Sequence, residues 1–294
     1  MNKVGFIGVG IMGKSMVRNL MKAGFELHIY ARTKSKVEDV IGEGAQFHES
    51  IKDCVHDCDA VITIVGFPQD VEEVYFDQGN ILDSAKEGAY LIDMTTTSPQ
   101  IAEKIYAEGT KRGFHVMDAP VTGGDTGAKA GTLSILVGGE KEDYEACMPL
   151  FEAMGTNINY QGKAGCGQHC KLANQIMIAG TLSGVCEALT YAKEQGLDPE
   201  VFMKSVATGA AGSKQLDTFG PKILKDDYAP GFFMKHFIKD MKLALIEANR
   251  KGLSLDVLSM VLANYEELEQ EGYGDLGTQA LMKFYDEEHR NMEE

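Results

Sequence analysis

No stretch of this sequence approaches the roughly 18 consecutive apolar residues needed to span a bilayer, so no membrane-spanning segment is expected. Basic residues are scarce: 28 Lys and Arg stand against 44 Asp and Glu, a formal net charge of −16 over 294 residues. A nucleic-acid surface needs clustered Lys and Arg, so nucleic acid is not an expected partner. The excess charge reads as a solvated acidic surface. Only three residues precede the first apolar strand at Val4. A secretory signal is therefore not expected and a cytoplasmic location is. Six cysteines occur, Cys54, Cys58, Cys147, Cys166, Cys170 and Cys186. Neither Cys54-x-His56-x-Cys58 nor Cys166…His169-Cys170 has the CxxC spacing of a common zinc site, so reduced thiols and no metal are expected. No repeat of solenoid period is present.

Hydrophobic residues make up 44% of the sequence, enough for a sizeable core in one large domain or two ordinary ones. Val4-Gly5-Phe6-Ile7 reads as a strand that runs straight into Gly8-x-Gly10-x-x-Gly13. Gly8 permits a tight turn, Gly10 lets the backbone approach a pyrophosphate, and Gly13 allows a helix to pack closely on the strand. The helical pattern Met12, Met16, Leu20, with Val17 and Met21, follows and ends at Gly24. Free N–H groups and the positive dipole end of that helix point at the phosphates. A second apolar strand, 27–30, completes a βαβ start.

Further apolar strands fall near 59–65, 89–94, 114–117 and 133–138, with the first two spanning 3–8 and 26–30. Continuous runs such as Ala60-Val61-Ile62-Thr63-Ile64-Val65 suit a parallel sheet covered on both faces. Helical connections fall near 12–23, 34–42, 70–76 and 98–112. The alternation predicts an N-terminal Rossmann domain, a doubly wound α/β unit with a mostly parallel sheet, over 1–163. From Gly167 to Glu194 there is neither strand pattern nor proline, and Leu172, Ile176, Ala179, Ser183, Cys186 and Leu189 recur at helical spacing. One long helix ending at Gly196 joins the first domain to an all-helical one over 164–294. Helices are expected there near 199–207, 232–251, 255–271 and 277–287. The polar tail, 286–294, is expected to fray.

About 20 residues past the glycines, an Asp or Glu would select NAD by bonding the adenosine ribose. This chain has Tyr30-Ala31-Arg32-Thr33-Lys34 there, with no acid. Arg32 can pair a 2′-phosphate in bidentate fashion, with Thr33 and Lys34 assisting. NADP(H) is the expected cofactor, with NAD the alternative.

Several segments together resemble the β-hydroxyacid dehydrogenase family, which includes 3-hydroxyisobutyrate dehydrogenase, tartronate semialdehyde reductase and glyoxylate/succinic semialdehyde reductases. Gly5-Phe6-Ile7-Gly8-Val9-Gly10-Ile11-Met12-Gly13 resembles its cofactor signature. Asp118-Ala119-Pro120-Val121-Thr122-Gly123-Gly124 resembles its substrate-binding segment. Gly165-x-Gly167-x-x-x-Lys171-x-x-Asn174-Gln175 resembles its catalytic segment, and Lys239-Asp240 a pair near the nicotinamide. The resemblance covers nearly the whole chain, with the motifs in the family's order.

It implies that Lys171 is the general acid or base and that Asn174 orients substrate. Thr122, Gly123 and Gly124 hold the substrate carboxylate through consecutive backbone N–H groups and a hydroxyl. Thr96 lies beside both nicotinamide and substrate, although Ser98 or Thr97 can instead cap the helix that Pro99 begins. Cofactor contacts fall to Gly8, Gly10, Ile11, Met12, Gly13, Ala31, Arg32, Thr33, Val65, Gly66, Asp70, Thr96 and Lys239. Phe232, Phe233 and Phe237 are expected in the core or a subunit interface. The chain departs from the family at Ala31, usually Asn, and at Gly277-Thr278-Gln279-Ala280, where an acidic-Ser-Ala pattern is common and a substrate pocket is lined.

The expected activity is NADP(H)-preferring interconversion of a short semialdehyde or 2-oxo acid with its hydroxy acid, in a homodimer or homotetramer. The rivals are an NAD-dependent 3-hydroxyisobutyrate-type dehydrogenase, an oxidative decarboxylase of the 6-phosphogluconate type, and a non-catalytic dinucleotide-binding scaffold. The decarboxylases are much longer, and a sugar phosphate needs more cationic anchors than 122–124 offers.

Overall fold

Each apolar run forms a strand, and the computed structural model describes residues 1–286. The strands are β1 (Lys3–Ile7), β2 (Glu26–Tyr30), β3 (Gln46–Phe47), β4 (Ala60–Thr63), β5 (Tyr90–Asp93), β6 (His115–Asp118), β7 (Val121–Thr122), β8 (Leu133–Gly139) and β9 (Gly155–Gly162). They make one sheet in the order β3-β2-β1-β4-β5-β6-β8-β7, with β9 also paired to β8. Pairing is parallel from β3 through β6, whereas β8 runs antiparallel to β6 and β7. Alternate strand residues feed two cores, as a sheet covered on both faces requires. Val4, Phe6, Ala60 and Ile62 enter one; Ile7, Val61, Leu91 and Val116 enter the other. The order reverses at β1, so the C-terminal ends of β1 and β4 flank the crevice where such sheets take ligands.

The chain divides into two compact units, Met1–Lys171 and the remainder from Leu172. In the second, the helices Pro199–Val206, Lys214–Ile223, Met234–Arg250 and Asp256–Gln270 pack with the long helix Cys166–Glu194 around Leu182, Leu189, Phe237, Met241 and Tyr265. Phe237 meets Tyr265 edge-on at 5.4 Å. Phe237 is fully buried and Phe232 packs against that core, while Phe233 opens the helix Met234–Arg250 as its N-cap residue.

Several elements escaped the sequence pattern. β9 carries Thr156 and Asn157 exposed, so polar residues hide its alternation. Lys214–Ile223 contains Gly220 and Pro221, both helix breakers by type. Gly220 lets Met203 pack against the helix, since a Cβ there would sit 2.5 Å from Met203 Sδ and push that side chain aside, and Pro221 falls two residues before the helix ends. The final predicted helix is a 3₁₀ turn, Thr278–Leu281, followed by Met282–Tyr285. Apart from Asp286, the tail expected to fray lies outside the described residues.

One expectation needs correction. By length and composition alone, Cys166–Glu194 is apolar enough to cross a membrane. Gln168, Lys171, Asn174 and Gln175 fall in its first third and Glu187, Lys193 and Glu194 in its last, which leaves a largely apolar stretch between them. Leu172, Ala179, Leu182, Cys186 and Leu189 nonetheless belong to the core of the second unit, so this is a core helix.

Candidate active site

At the end of β1 the backbone packs without side chains between its layers. Gly8 has φ +98°, and a Cβ there would lie 2.0 Å from the Ile64 carbonyl oxygen beyond β4. A Cβ on Gly13 would lie 2.2 Å from the Gly8 carbonyl oxygen. Strand, turn and the helix Ile11–Lys22 are thereby fixed at backbone contact. Gly10, the N-cap of that helix, differs: a side chain there would meet no atom within 4 Å. Ile11 beside it is half exposed and Met12 half-buried. Open space over a helix N-terminus, at the C-terminal edge of a parallel sheet, fits the pyrophosphate of a dinucleotide.

The same edge carries the segment after β5. Of three consecutive threonines, Thr95 and Thr97 are buried and tied down, and Thr96 alone is half exposed. Thr95 Oγ1 accepts from the Val65 N–H at 3.0 Å, which joins the loop after β4 to the loop after β5. Thr97 N–H donates to Gln168 Oε1 at 3.0 Å, and Gln168 Nε2 donates to the Thr95 carbonyl at 2.7 Å. Ser98 caps the helix Pro99–Lys111 by accepting from the Gln100 N–H.

Beneath these loops lie two buried acids, Asp93 and Asp118, opposite each other on β5 and β6. Asp93 Oδ1 accepts from Thr63 Oγ1 at 2.8 Å and from the Thr95 N–H at 3.1 Å. Thr63 Oγ1 lies 3.1 Å from the Tyr75 hydroxyl. Asp93 Oδ2 has no hydrogen-bond partner. Burial without a second partner pushes its carboxyl up to about 6 from an ordinary 3.8. A carboxyl raised on folding costs nothing below pH 3.8, and the cost grows as pH rises through 6. At roughly 1.4 kcal/mol per unit, the full cost is about 3 kcal/mol. Asp93→Asn keeps the Oδ1 acceptor and removes the charge. Its stability relative to wild type should therefore rise by about that amount between pH 4 and pH 7, read by urea unfolding at each pH. Parallel stability–pH curves for the two proteins would refute this.

Thr122 ends β7, and Gly123 and Gly124 follow with φ +129° and +64°. Only glycine adopts two such angles in succession at low cost. Asp125 in the next position is paired by Lys129 at 3.0 Å, which limits its repulsion of an anion.

Lys171 is buried in the second turn of the long helix. Asn174 and Gln175 follow at spacings of three and four on that helix. Asn174 Nδ2 donates to Gln175 Oε1 at 2.8 Å, and Gln175 Nε2 donates to Asp240 Oδ2 at 2.6 Å. Asp240, itself buried, holds Lys239 Nζ at 3.0 Å through its other oxygen. Asp240 is thus more than a surface ion pair: it fixes Lys239 and, through Gln175, Asn174.

At the end of β2, Ala31 is half-buried and Arg32, Thr33 and Lys34 are exposed. Arg32 pairs with Asp70 at 2.7 Å and Glu73 at 2.8 Å. Asp70 also caps the helix Pro68–Phe76, accepting from the Phe67 N–H at 2.9 Å. Lys34 faces Glu49 and the ring of Phe47. The segment 277–280 is held from within. Thr278, Gln279 and Ala280 are buried, and Gln279 Nε2 donates to the carbonyls of Asp227 and Ala229, so Gln279 staples a neighbouring loop.

Among the residues singled out from sequence, the fold gathers Gly8, Gly10, Gly13, Val65 and Thr96 at one sheet edge. It also joins Arg32 to Asp70. Asp93, Gln168 and Glu73 were not singled out, and Asp118 was quoted without a role. The available signal was an Asp closing each of two apolar strands, Tyr90–Asp93 and His115–Asp118, immediately before a loop.

Comparison with known proteins gives two family matches. Residues 3–162 match the NAD binding domain of 6-phosphogluconate dehydrogenase, and residues 165–285 match the NAD-binding region of NADP-dependent 3-hydroxyisobutyrate dehydrogenase. The chain is 49% identical to the uncharacterized oxidoreductase YkwC of Bacillus subtilis, over 96% of this chain and 98% of that one. It is 44% identical to the probable 3-hydroxyisobutyrate dehydrogenase-like 1, mitochondrial, of Arabidopsis thaliana, over 95% of this chain and 84% of that one. A solved Mycobacterium tuberculosis 3-hydroxyisobutyrate dehydrogenase with L-serine superposes with a TM-score of 0.88 at 26% identity, covering 96% and 98% of the two chains.

Proposed function

The chain belongs to the β-hydroxyacid dehydrogenase family, the nicotinamide-dependent oxidoreductases of 3-hydroxyisobutyrate dehydrogenase type, and from that premise we propose an NADP(H)-preferring enzyme that interconverts a short semialdehyde or 2-oxo acid with its hydroxy acid. One observation carries this reading. A single unit combines an open glycine cradle at Gly10 with a buried lysine, Lys171, on a helix whose first turn is bonded to the Thr95–Thr97 loop.

The bound nicotinamide supplies or accepts the hydride. Gly8, Gly10, Ile11, Met12 and Gly13 hold the pyrophosphate, and Val65, Gly66 and Thr96 flank the rest of the dinucleotide. Arg32, set by Asp70 and aided by Ala31 and Thr33, receives the adenosine phosphate. The family likeness also assigns Lys239 to the cofactor. Thr122, Gly123 and Gly124 hold the substrate carboxylate, which places the carbonyl rather than the acid group at Lys171. In reduction, Lys171 Nζ hydrogen-bonds the carbonyl oxygen, offsets the charge that develops there and delivers the proton. In oxidation the neutral amine removes the hydroxyl proton. Asn174, braced by Gln175, orients the substrate.

The test is a panel of aldehyde and oxo acids followed by nicotinamide absorbance with NADPH and with NADH. Consumption of NADPH with succinic semialdehyde or glyoxylate is expected. Silence across all short oxo acids, with tight NADPH binding, would overturn the proposal.

We further propose a homodimer or homotetramer in the cytoplasm. Met177, Tyr191 and Val257 are 74%, 67% and 59% exposed, apolar side chains that a second copy would cover, and the six thiols are free. Light scattering at the 32.0 kDa of one chain would refute the oligomer.

A further inference from the structure

Asp118 is a charged group in an expensive place. It is 3% exposed, at the end of β6, beside a second buried acid. Its surroundings are built around the carboxylate. The Gly165 N–H donates to Oδ1 at 2.7 Å and the Gln168 N–H to Oδ2 at 2.8 Å. Both donors belong to the start of the helix Cys166–Glu194, whose first N–H groups have no partner within the helix. The walls are glycines. A Cβ on Gly138 would stand 2.6 Å from Asp118 Oδ1, and one on Gly167 would stand 2.8 Å from Oδ2. Burial raises the Asp118 carboxyl above its ordinary range, and the two N–H bonds oppose that shift.

Gln168 extends the arrangement. Its side chain is fully buried and bonds both the Thr95 carbonyl and the Thr97 N–H. One turn therefore has its backbone tied to β6 and its side chain tied to the loop after β5. Lys171 stands three residues further on, and Thr96 sits between the two tied threonines.

We propose that Asp118 is a positioning residue for the reaction, anchoring the first turn of the Lys171-bearing helix, and that Gln168 carries this anchorage to Thr96. The inference rests on Lys171 as the proton-transferring group. Misplacement by about 1 Å can cost on the order of 100-fold in rate, so a fixed turn matters even where the anchor touches no substrate.

Asp118→Asn retains one acceptor oxygen and turns an amide donor toward a backbone donor. In the full-length enzyme we expect kcat to fall about 100-fold, with the NADPH Kd within about twofold of wild type. Amide hydrogen exchange over 163–171 should accelerate at least tenfold, a readout that requires no substrate. In a Lys171→Met background, Asp118→Asn should lower the residual rate by less than about twofold, because nothing remains to position. Should Asp118→Asn fail to fold, Gln168→Met carries the same tests, with exchange read over 95–97. Wild-type kcat, unchanged exchange, or a full 100-fold loss repeated in the Lys171→Met background would each overturn the inference. A Lys171→Met enzyme with wild-type turnover overturns the proton-transfer assignment and this inference with it. An inactive Lys171→Met beside a fully active Asp118→Asn overturns this inference alone.

Discussion

Lys171→Met is expected to lower kcat by about a thousandfold while leaving the NADPH Kd within about twofold of wild type. General acid–base groups contribute on the order of 10²- to 10⁴-fold, and this side chain is asked both to offset charge and to move a proton. Methionine keeps the length and apolar stem of the buried lysine and removes only the ammonium. Loss of fold is therefore not the expected cause of lost turnover, and thermal unfolding should confirm an intact protein. Cofactor affinity is the internal control, because the glycine cradle lies on a different element. Steady-state kinetics against pH adds a second reading: the limb that reports the lysine should vanish from the residual activity. Turnover within tenfold of wild type would remove Lys171 from the chemistry.

Arg32→Ala should lower the NADPH to NADH ratio of kcat/KM by about 10- to 100-fold. Charge-assisted hydrogen bonds contribute roughly 1.5–3 kcal/mol, and each 1.4 kcal/mol is a factor of ten. The guanidinium side chain is 60% exposed, so solvent screening favours the lower end, and added salt should shrink the effect. The present partners of Arg32 sharpen the expectation. Asp70 and Glu73 both bond it. Once the arginine is gone, two carboxylates face the adenosine phosphate without a cation between them. NADPH then loses an attraction and meets a repulsion, whereas NADH is nearly indifferent. Glu73→Gln, which leaves the Asp70 cap intact, should shift the ratio the other way. A wild-type enzyme that favours NADH, or a ratio unmoved by Arg32→Ala, would defeat the assignment.

The two-part architecture was legible because its signals were strong and local. Ala60–Thr63 is apolar but for its last residue and is buried on both faces, and the long helix showed a clean 3.6-residue period from Leu172 to Leu189. Of the glycines, Gly8 and Gly13 could be read because their spacing follows from backbone contact. What stayed hidden depended on distant residues meeting. Arg32 and Asp70 are 38 positions apart, and Gln168 and Thr95 are 73 apart, beyond any local pattern. Asp93 and Asp118 look like ordinary polar strand ends until the sheet register sets them side by side. Gln279 adds another such meeting: its side-chain amide donates to the carbonyl of Asp227, 52 positions away.

The interlock at the end of β1 bears on how tightly and how fast a dinucleotide can be held. With Ile64, Gly8 and Gly13 stacked backbone on backbone, the loop has no slack in which to rearrange. If a dinucleotide docks at this loop as proposed, little ordering entropy is spent when the ligand arrives, because the backbone is already fixed. Association should then proceed in a single kinetic phase at this loop, its rate linear in cofactor concentration and free of a slow loop-closing step.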